Sequence, residues 1–129
     1  MRRKTVLVVE DDSAVQILYR EVIEGIVGAR ALIVGRGDEA VAAVRRESPD
    51  LIILDMRLPG ADGLEICRQL KADPATAAVS VLAVTVRCTD DDVRQAVEAG
   101  CVGCLGKPFD LDALTETVDR LLGLDQPTH

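Results

Sequence analysis

The chain has 129 residues, 48% hydrophobic and only 2% aromatic, with a formal net charge of −7. This length suits one domain, residues 1–129, whose core runs from about 4 to 123 and whose short tail, 124–129, we expect to fray. The acidic balance argues against direct nucleic-acid binding, which normally needs a basic surface.

Other whole classes of protein are also disfavoured by the sequence. No apolar run is long enough to span a bilayer, and the basic start leads directly into a short strand instead of a signal peptide. The four cysteines lack the spacing of a secreted disulfide framework. We therefore expect a cytoplasmic protein without membrane contact. Because His129 is the single histidine, a histidine-based catalytic site is excluded.

The first half of the chain predicts three buried strands with two helices between them. The strands are the apolar runs Val6–Val9, Ala31–Val34 and Leu51–Leu54. Ser13 and Gln16 fit a capping box at the start of the first helix, which ends at Gly28. Its apolar stripe comprises Val15, Leu18, Val22 and Ile26. The second helix contains Ala40, Val41 and Val44 and ends at Ser48–Pro49.

The second half continues the alternation. Asp62 caps a helix that ends at Asp73–Pro74, and its inward residues are Leu64, Cys67 and Leu70. Val81–Val84 predicts the fourth strand. Thr89 caps the next helix, which faces inward with Val93, Ala96 and Val97 and closes at Gly100. Val102–Leu105 predicts the fifth strand, and the last helix is capped by Asp110 and lined by Leu111, Leu114, Val118, Leu121 and Leu122.

Strands that alternate with helices fold into a parallel sheet covered on both faces, because the crossovers are right-handed. The residues that follow the strands then meet at one edge of the sheet. Strand one is followed by Glu10 and Asp11, strand three by Asp55, strand four by Thr85 and strand five by Lys107. The sequence therefore predicts a functional site at this edge.

The chemistry of that site follows from its charges. Three clustered carboxylates repel one another unless a cation joins them, and their oxygen atoms suit Mg²⁺. A metal ion and Lys107 would supply two positive centres around Asp55, and the Thr85 hydroxyl can donate a hydrogen bond. We interpret the arrangement as a site that holds a phosphoryl group on Asp55, whose carboxylate acts as the nucleophile.

The sequence resembles the receiver domains of bacterial two-component response regulators over about residues 4 to 123. The matching segments are Val8–Asp11, Leu54–Gly63, Val84–Thr85 and Lys107–Phe109, at the spacing of the family. The resemblance is to the single-domain, chemotaxis-regulator-like kind. It implies a flavodoxin-like, doubly wound α/β fold: a five-stranded parallel sheet, order 2-1-3-4-5, flanked by five helices.

The resemblance also implies a role for each site residue. Asp55 is the phospho-acceptor, Lys107 contacts the phosphate, and Thr85 closes on it. Asp11 binds Mg²⁺ directly and Glu10 through water, whereas Asp12 stands one position too late and belongs to the helix start. The remaining protein ligands are Asp55 itself and the backbone carbonyl of Arg57. Such a domain is no enzyme beyond catalysing its own phosphorylation and dephosphorylation.

Partners follow from the same resemblance. The phosphoryl donor is a sensor histidine kinase or a histidine phosphotransfer protein. A downstream protein binds the face made by helix 4, strand 5 and helix 5, and the domain is a monomer or a weak dimer. We further expect the Lys107–Pro108 peptide to be cis, because Lys107 must point back into the site while the chain turns into the last helix.

Two positions depart from the family pattern. The residue after the key threonine is usually Ala or Gly and is Val86 here, and Cys104 stands where the fifth strand usually carries Tyr or Phe. In typical receivers that aromatic ring rotates inward as the threonine moves toward the phosphate. Val86 and Cys104 therefore predict an atypical switch with unaltered phosphorylation chemistry.

Three alternatives fit these residues less well. A phosphorylation-independent binding module on the same fold would lack the acceptor, the acid pair or the lysine, and none is missing. A haloacid-dehalogenase-type phosphatase needs an Asp where Arg57 stands. A flavin binder would place a phosphate loop where Glu10 to Asp12 would repel it. The C-x-x-C of Cys101 to Cys104 runs into a strand and is not typical of a redox or zinc motif.

Overall fold

The computed structural model describes residues 3–58 and 61–124. Five parallel strands form one sheet in the order β2-β1-β3-β4-β5, as predicted. Their bounds are Thr5–Val9, Arg30–Val34, Leu51–Asp55, Ser80–Thr85 and Gly103–Gly106 for β1 to β5. A separate two-stranded ribbon pairs Arg57–Leu58 with Ala61–Asp62 just after β3. Pro59 and Gly60, at which the sequence predicts a loop after the third strand, lie outside the described residues, as does the tail 125–129.

Five helices cover the sheet. α1 to α5 span Ser13–Arg20, Ala40–Glu47, Gly63–Ala72, Asp90–Glu98 and Leu111–Leu122. A π-helical segment, Glu21–Val27, continues α1, and a short 3-10 turn, Gly37–Glu39, precedes α2. No helix in the described ranges is long and apolar enough to cross a membrane.

The alternation of side chains along the strands divides the core into two layers. Val6 and Val8 of β1 face α1 and α5, whereas Leu7 and Val9 face α2, α3 and α4. β3, at the centre, is buried along its whole length. A strand buried on both faces reads as a continuous apolar run, which is why these strands are recognisable in the sequence.

The predicted cap of α1 is wrong by one residue. Asp12, not Ser13, is the N-cap, and its Oδ1 accepts hydrogen bonds from the amides of Ala14 and Val15 at 2.8 and 3.3 Å. Gln16 does not reach back to the cap, because its Nε2 donates to the carbonyl of Glu10 at 2.7 Å. The caps predicted at Asp62, Thr89 and Asp110 are confirmed.

Three predicted inward positions face solvent instead, and one of them is Leu111, which is 42% exposed at the first position of α5. Ile26 is 62% exposed, because the π-helical segment holds more residues per turn and rotates the apolar stripe onto Tyr19, Val22 and Ile23. Val97 is 53% exposed, since only Ala96 of α4 is buried against the sheet. β5 also begins one residue later than predicted, so Val102 lies outside it.

Candidate functional site

Asp55 ends β3 and is buried to 7% exposure at the carboxyl edge of the sheet. The chain turns immediately after it, and the amide of Met56 donates to the carbonyl of Val84 at 2.9 Å. The amide of Arg57 then donates to Asp55 Oδ1 at 2.9 Å. The carboxylate is thus fixed by its own backbone, with Oδ2 directed toward the neighbouring strands.

Lys107 directly follows β5, the edge strand of the sheet, and its side chain reaches back to Asp55. Its Nζ donates to Asp55 Oδ2 at 2.9 Å and to Glu10 Oε1 at 2.7 Å. Its backbone amide donates to the carbonyl of Thr85 at 2.7 Å, and the following bond to Pro108 is cis, as predicted. Burial opposes the charged ammonium, but the hydrogen bonds to Glu10 and Asp55 and their charges outweigh it and raise the pKa of Lys107.

Glu10, Asp11 and Asp55 form an acidic cluster, with one oxygen atom of each lying within 4.8 Å of those of the others. Glu10 is almost completely buried, and its Oε2 accepts a hydrogen bond from the amide of Asp12 at 3.0 Å. Asp11 is exposed. Asp12 turns its carboxylate to the helix start, as predicted. Three carboxylate groups that lie together at a partly exposed site can supply the oxygen ligands that a hard divalent cation prefers.

Thr85 ends β4 beside a cavity of about 170 Å³, which Met56, Ala96 and Cys104 also line. The cavity lies between the sheet and α4. Val86 is on the other side of the chain, 53% exposed, in an apolar groove with Val15 and Phe109. The two atypical positions, Val86 and Cys104, are therefore on opposite sides of the Thr85 segment.

The sequence analysis did not predict an aromatic pair near the acids, formed by buried Tyr19 and half-buried Phe109. Tyr19 and Phe109 have ring centroids 5.4 Å apart, and Tyr19 is almost fully buried. Burial raises the pKa of the Tyr19 phenol, and the charges of Glu10 and Asp55 raise it further. The predicted stripe of α1 omits Tyr19. The chain contains one Tyr and one Phe, and this scarcity was the feature of the sequence that could have suggested that the two rings pack together.

A doubly wound parallel sheet that gathers an acidic cluster and a paired lysine at its carboxyl edge is typical of one class of signalling domain, the receivers of two-component systems. The family described as response regulator receiver domain matches residues 6–119. The chain belongs to that family. Its members are signalling modules and not typical enzymes.

Two similar proteins match this chain over nearly their whole length. The polar-differentiation response regulator DivK of Brucella anthropi is 33% identical over 120 residues, covering 93% of this chain and 97% of its own. Sporulation initiation phosphotransferase F of Bacillus subtilis is 32% identical, covering 96% and 98%. Among solved structures, the receiver domain of sensor histidine kinase PA1611 from Pseudomonas aeruginosa is 29% identical with a TM-score of 0.83, covering 94% and 98%.

Proposed function

We propose that Asp55 accepts a phosphoryl group from a phosphohistidine in a Mg²⁺-dependent reaction. The observation that carries this proposal is the contact between Asp55 Oδ2 and Lys107 Nζ at 2.9 Å beside the acidic cluster. A buried carboxylate with a fixed orientation and an adjacent cation is suited to nucleophilic attack on phosphorus, where negative charge must be neutralised.

The charge balance supports a divalent cation. Glu10, Asp11 and Asp55 carry three formal negative charges and Lys107 carries one positive charge, so the described site retains an excess of two negative charges. Mg²⁺ matches that excess and prefers oxygen ligands. The receiver domain of PA1611 holds a magnesium ion in its active-site cleft. In this chain Asp11 would bind the ion directly, Glu10 through water, with Asp55 and the Arg57 carbonyl as further ligands.

The residues divide the reaction between them. An oxygen atom of Asp55 attacks the phosphorus atom, the P–N bond of the donor phosphohistidine breaks, and the imidazole leaves. A bound Mg²⁺ supplies charge neutralisation at the phosphoryl oxygen atoms. Lys107 exchanges part of its contact with Glu10 and Asp55 for a phosphoryl oxygen, and the Thr85 hydroxyl donates to another.

The donor must bring its histidine to Asp55, so it has to contact the surface around the site. An apolar groove lined by Val15, Leu18, Val86 and Phe109 lies beside Lys107, and Ile17 on α1 is exposed nearby in sequence. This surface suits the docking of a helical histidine kinase or phosphotransfer domain. The Bacillus subtilis relative is itself named a phosphotransferase.

The output surface we propose is the face formed by α4, β5 and α5, with the domain acting as a monomer or a weak dimer. The switch toward that face is atypical, because Cys104 has no aromatic ring to rotate and Val86 adds a stiff branched side chain next to Thr85. Signal therefore passes mainly through the loops that follow Asp55 and Thr85. A phosphorylation-independent binding module is the alternative, and no feature of the site favours it.

Incubation with acetyl phosphate, with and without Mg²⁺, tests the proposal through the intact mass of the protein. We expect one phosphoryl adduct that requires Mg²⁺ and is absent in Asp55→Asn. Asp12→Asn is the matched control, because Asp12 lies outside the acidic cluster and Asn caps a helix as well as Asp does. An adduct that survives Asp55→Asn would refute the assignment.

A further inference from the structure

The four cysteines are free thiols, and two of them meet inside the core. Cys67 lies in α3, and Cys101 lies in the connection between α4 and β5. Their Sγ atoms are 3.2 Å apart, with Cys101 donating a hydrogen bond to Cys67. The two residues are 34 positions apart in the sequence, so this contact joins two separate elements of the fold.

The surroundings of the pair favour one charged sulfur. The hydrogen bond from Cys101 lowers the pKa of Cys67 against the effect of burial, and the charges of Lys71 and Arg68 lower it further. The same contact and burial raise the pKa of Cys101. Cys67 is thus the more acidic of the two thiols, and Cys101 donates the hydrogen bond to its sulfur. A thiolate next to a thiol is the arrangement from which a disulfide forms.

We propose that Cys67 and Cys101 are a site of reversible disulfide formation, with a hydroperoxide as the oxidant. The Cys67 sulfur attacks the peroxide, the O–O bond breaks, and a sulfenic acid and a water or alcohol molecule form. The Cys101 sulfur then attacks the sulfenic sulfur, the S–O bond breaks, and a second water molecule leaves with the Cys101 proton. Both thiols are oxidised, and the peroxide is reduced.

The buried position of the pair makes the reaction depend on local opening. The connection that carries Cys101 lies at the surface: Val102 is half exposed, and Gly100 adopts φ +107 beneath the Lys71 side chain. Opening of the last turn of α4 would admit a small peroxide. The disulfide would then tie α3 to the start of β5 and restrict the movement of α4 at its carboxyl end.

The other two cysteines offer a competing pair. Cys104 is half-buried with its pKa raised to about 12, by burial and then by the neighbouring Cys88. Cys88 is exposed and will react first with any oxidant. The decisive protein is therefore Cys88→Ser/Cys104→Ser, which retains the core pair alone. The folded variant is treated with hydrogen peroxide. It is then unfolded in denaturant that contains N-ethylmaleimide, which alkylates the remaining thiols, and its intact mass is measured.

We expect this variant to lose two hydrogen atoms and to take up no maleimide, and dithiothreitol to restore two alkylated thiols. The oxidised variant should also unfold several degrees higher, because the cross-link restricts the unfolded chain. Adding Cys67→Ser is the matched control and should leave Cys101 free for alkylation.

The proposal would be overturned if both thiols of the folded variant were still alkylated after a peroxide treatment that oxidises the same variant when it is unfolded. Sulfinic acid at Cys67 without a cross-link would overturn it as well. Should the variant not fold, peptide mapping of the oxidised unmodified protein decides. A peptide pair that joins Cys67 to Cys101 is expected, and a pairing of Cys101 with Cys104 or Cys88 would show the assignment to be wrong.

Discussion

The ammonium group of Lys107 lies 2.7 Å from a carboxylate oxygen of Glu10, which is almost completely buried, and 2.9 Å from one of Asp55, so one lysine contacts two acids. Any divalent cation must enter beside this lysine. We therefore predict that Lys107→Gln binds Mg²⁺ several-fold more tightly than the unmodified protein, because a repelling charge is removed. Lys107→Gln should nevertheless accept the phosphoryl group more slowly from acetyl phosphate, because it no longer neutralises the transferred group.

Calorimetric titration of Mg²⁺ measures the first effect, and intact mass against time measures the second. Lys107→Arg retains the charge and is the control: its Mg²⁺ affinity should stay close to that of the unmodified protein. Equal Mg²⁺ affinity in the Gln and Arg variants would mean that the ammonium does not oppose the metal.

The ion pairs of Lys107 also predict a dependence of stability on pH. Because its pKa is raised in the folded protein above the ordinary value of 10.5, the ion pairs stabilise the fold below that value. Their contribution falls as the pH rises through the folded pKa. The difference in the free energy of unfolding between the unmodified protein and Lys107→Gln should therefore be constant near neutrality and shrink in strong alkali. A difference that grows in alkali contradicts the assignment.

The cap of α1 predicts a contrast between two adjacent residues. Asp12→Ala removes the acceptor of the Ala14 and Val15 amides and should cost about 1 kcal/mol of unfolding free energy. Ser13→Ala should cost well under half of that, because Ser13 is the first helical residue and caps nothing. Urea unfolding without Mg²⁺ compares the two variants. A larger loss of stability in Ser13→Ala than in Asp12→Ala would show that Ser13 is the N-cap.

Two glycines should respond to alanine in opposite directions. A Cβ at Gly25, in the π-helical segment, has no neighbour within 4 Å, so Gly25→Ala should stabilise the protein by about 0.5–1 kcal/mol. A Cβ at Gly63, at the start of α3, would lie 2.8 Å from the Cα of Met56, and Gly63→Ala should destabilise it. Thermal unfolding measures both, and changes of the same sign in the two variants would count against this account.

The atypical switch that we propose gives a prediction for amide NMR with beryllofluoride, a mimic of the phosphoryl group. Large shifts should cluster at Asp55–Gly63 and Thr85–Thr89 and fade along Val93–Ala99 and at Cys104. The corresponding change in partner affinity should stay below about tenfold. Equally large shifts throughout α4 and β5 would show that the coupling is intact.

Cys104→Tyr is the matched variant for that experiment. It restores an aromatic ring beside the cavity of about 170 Å³ that Thr85 and Ala96 line. We expect shifts in α4 to become larger in this variant than in the unmodified protein. Cys88→Ser serves as the control for the loss of a thiol and should leave the pattern unchanged.

The strands and the approach of Glu10, Asp11, Asp55 and Lys107 to one another follow from local sequence pattern and parallel topology, whereas the strand order followed from the resemblance to receiver domains. Apolar runs define the strands, and parallel crossovers bring their ends to one edge. The features that the sequence did not predict depend on the number of residues per helical turn and on packing between residues that are distant in the sequence. The π-helical segment changes which side of the chain is buried, and so Ile26 faces solvent where an ordinary helix would bury it. The contacts of Tyr19 with Phe109 and of Cys67 with Cys101 join residues far apart in the sequence, so local sequence pattern does not predict them.

The hydrogen bond between Glu10 and Lys107 spans 97 positions of the sequence. Synthesis on the ribosome runs from Glu10 to Lys107, so the acids emerge long before their counter-charge. A chain interrupted before β5 would carry Asp55 without Lys107 and without the last strand of the sheet. Under the proposed function, the site is therefore complete only after β5 has been synthesised.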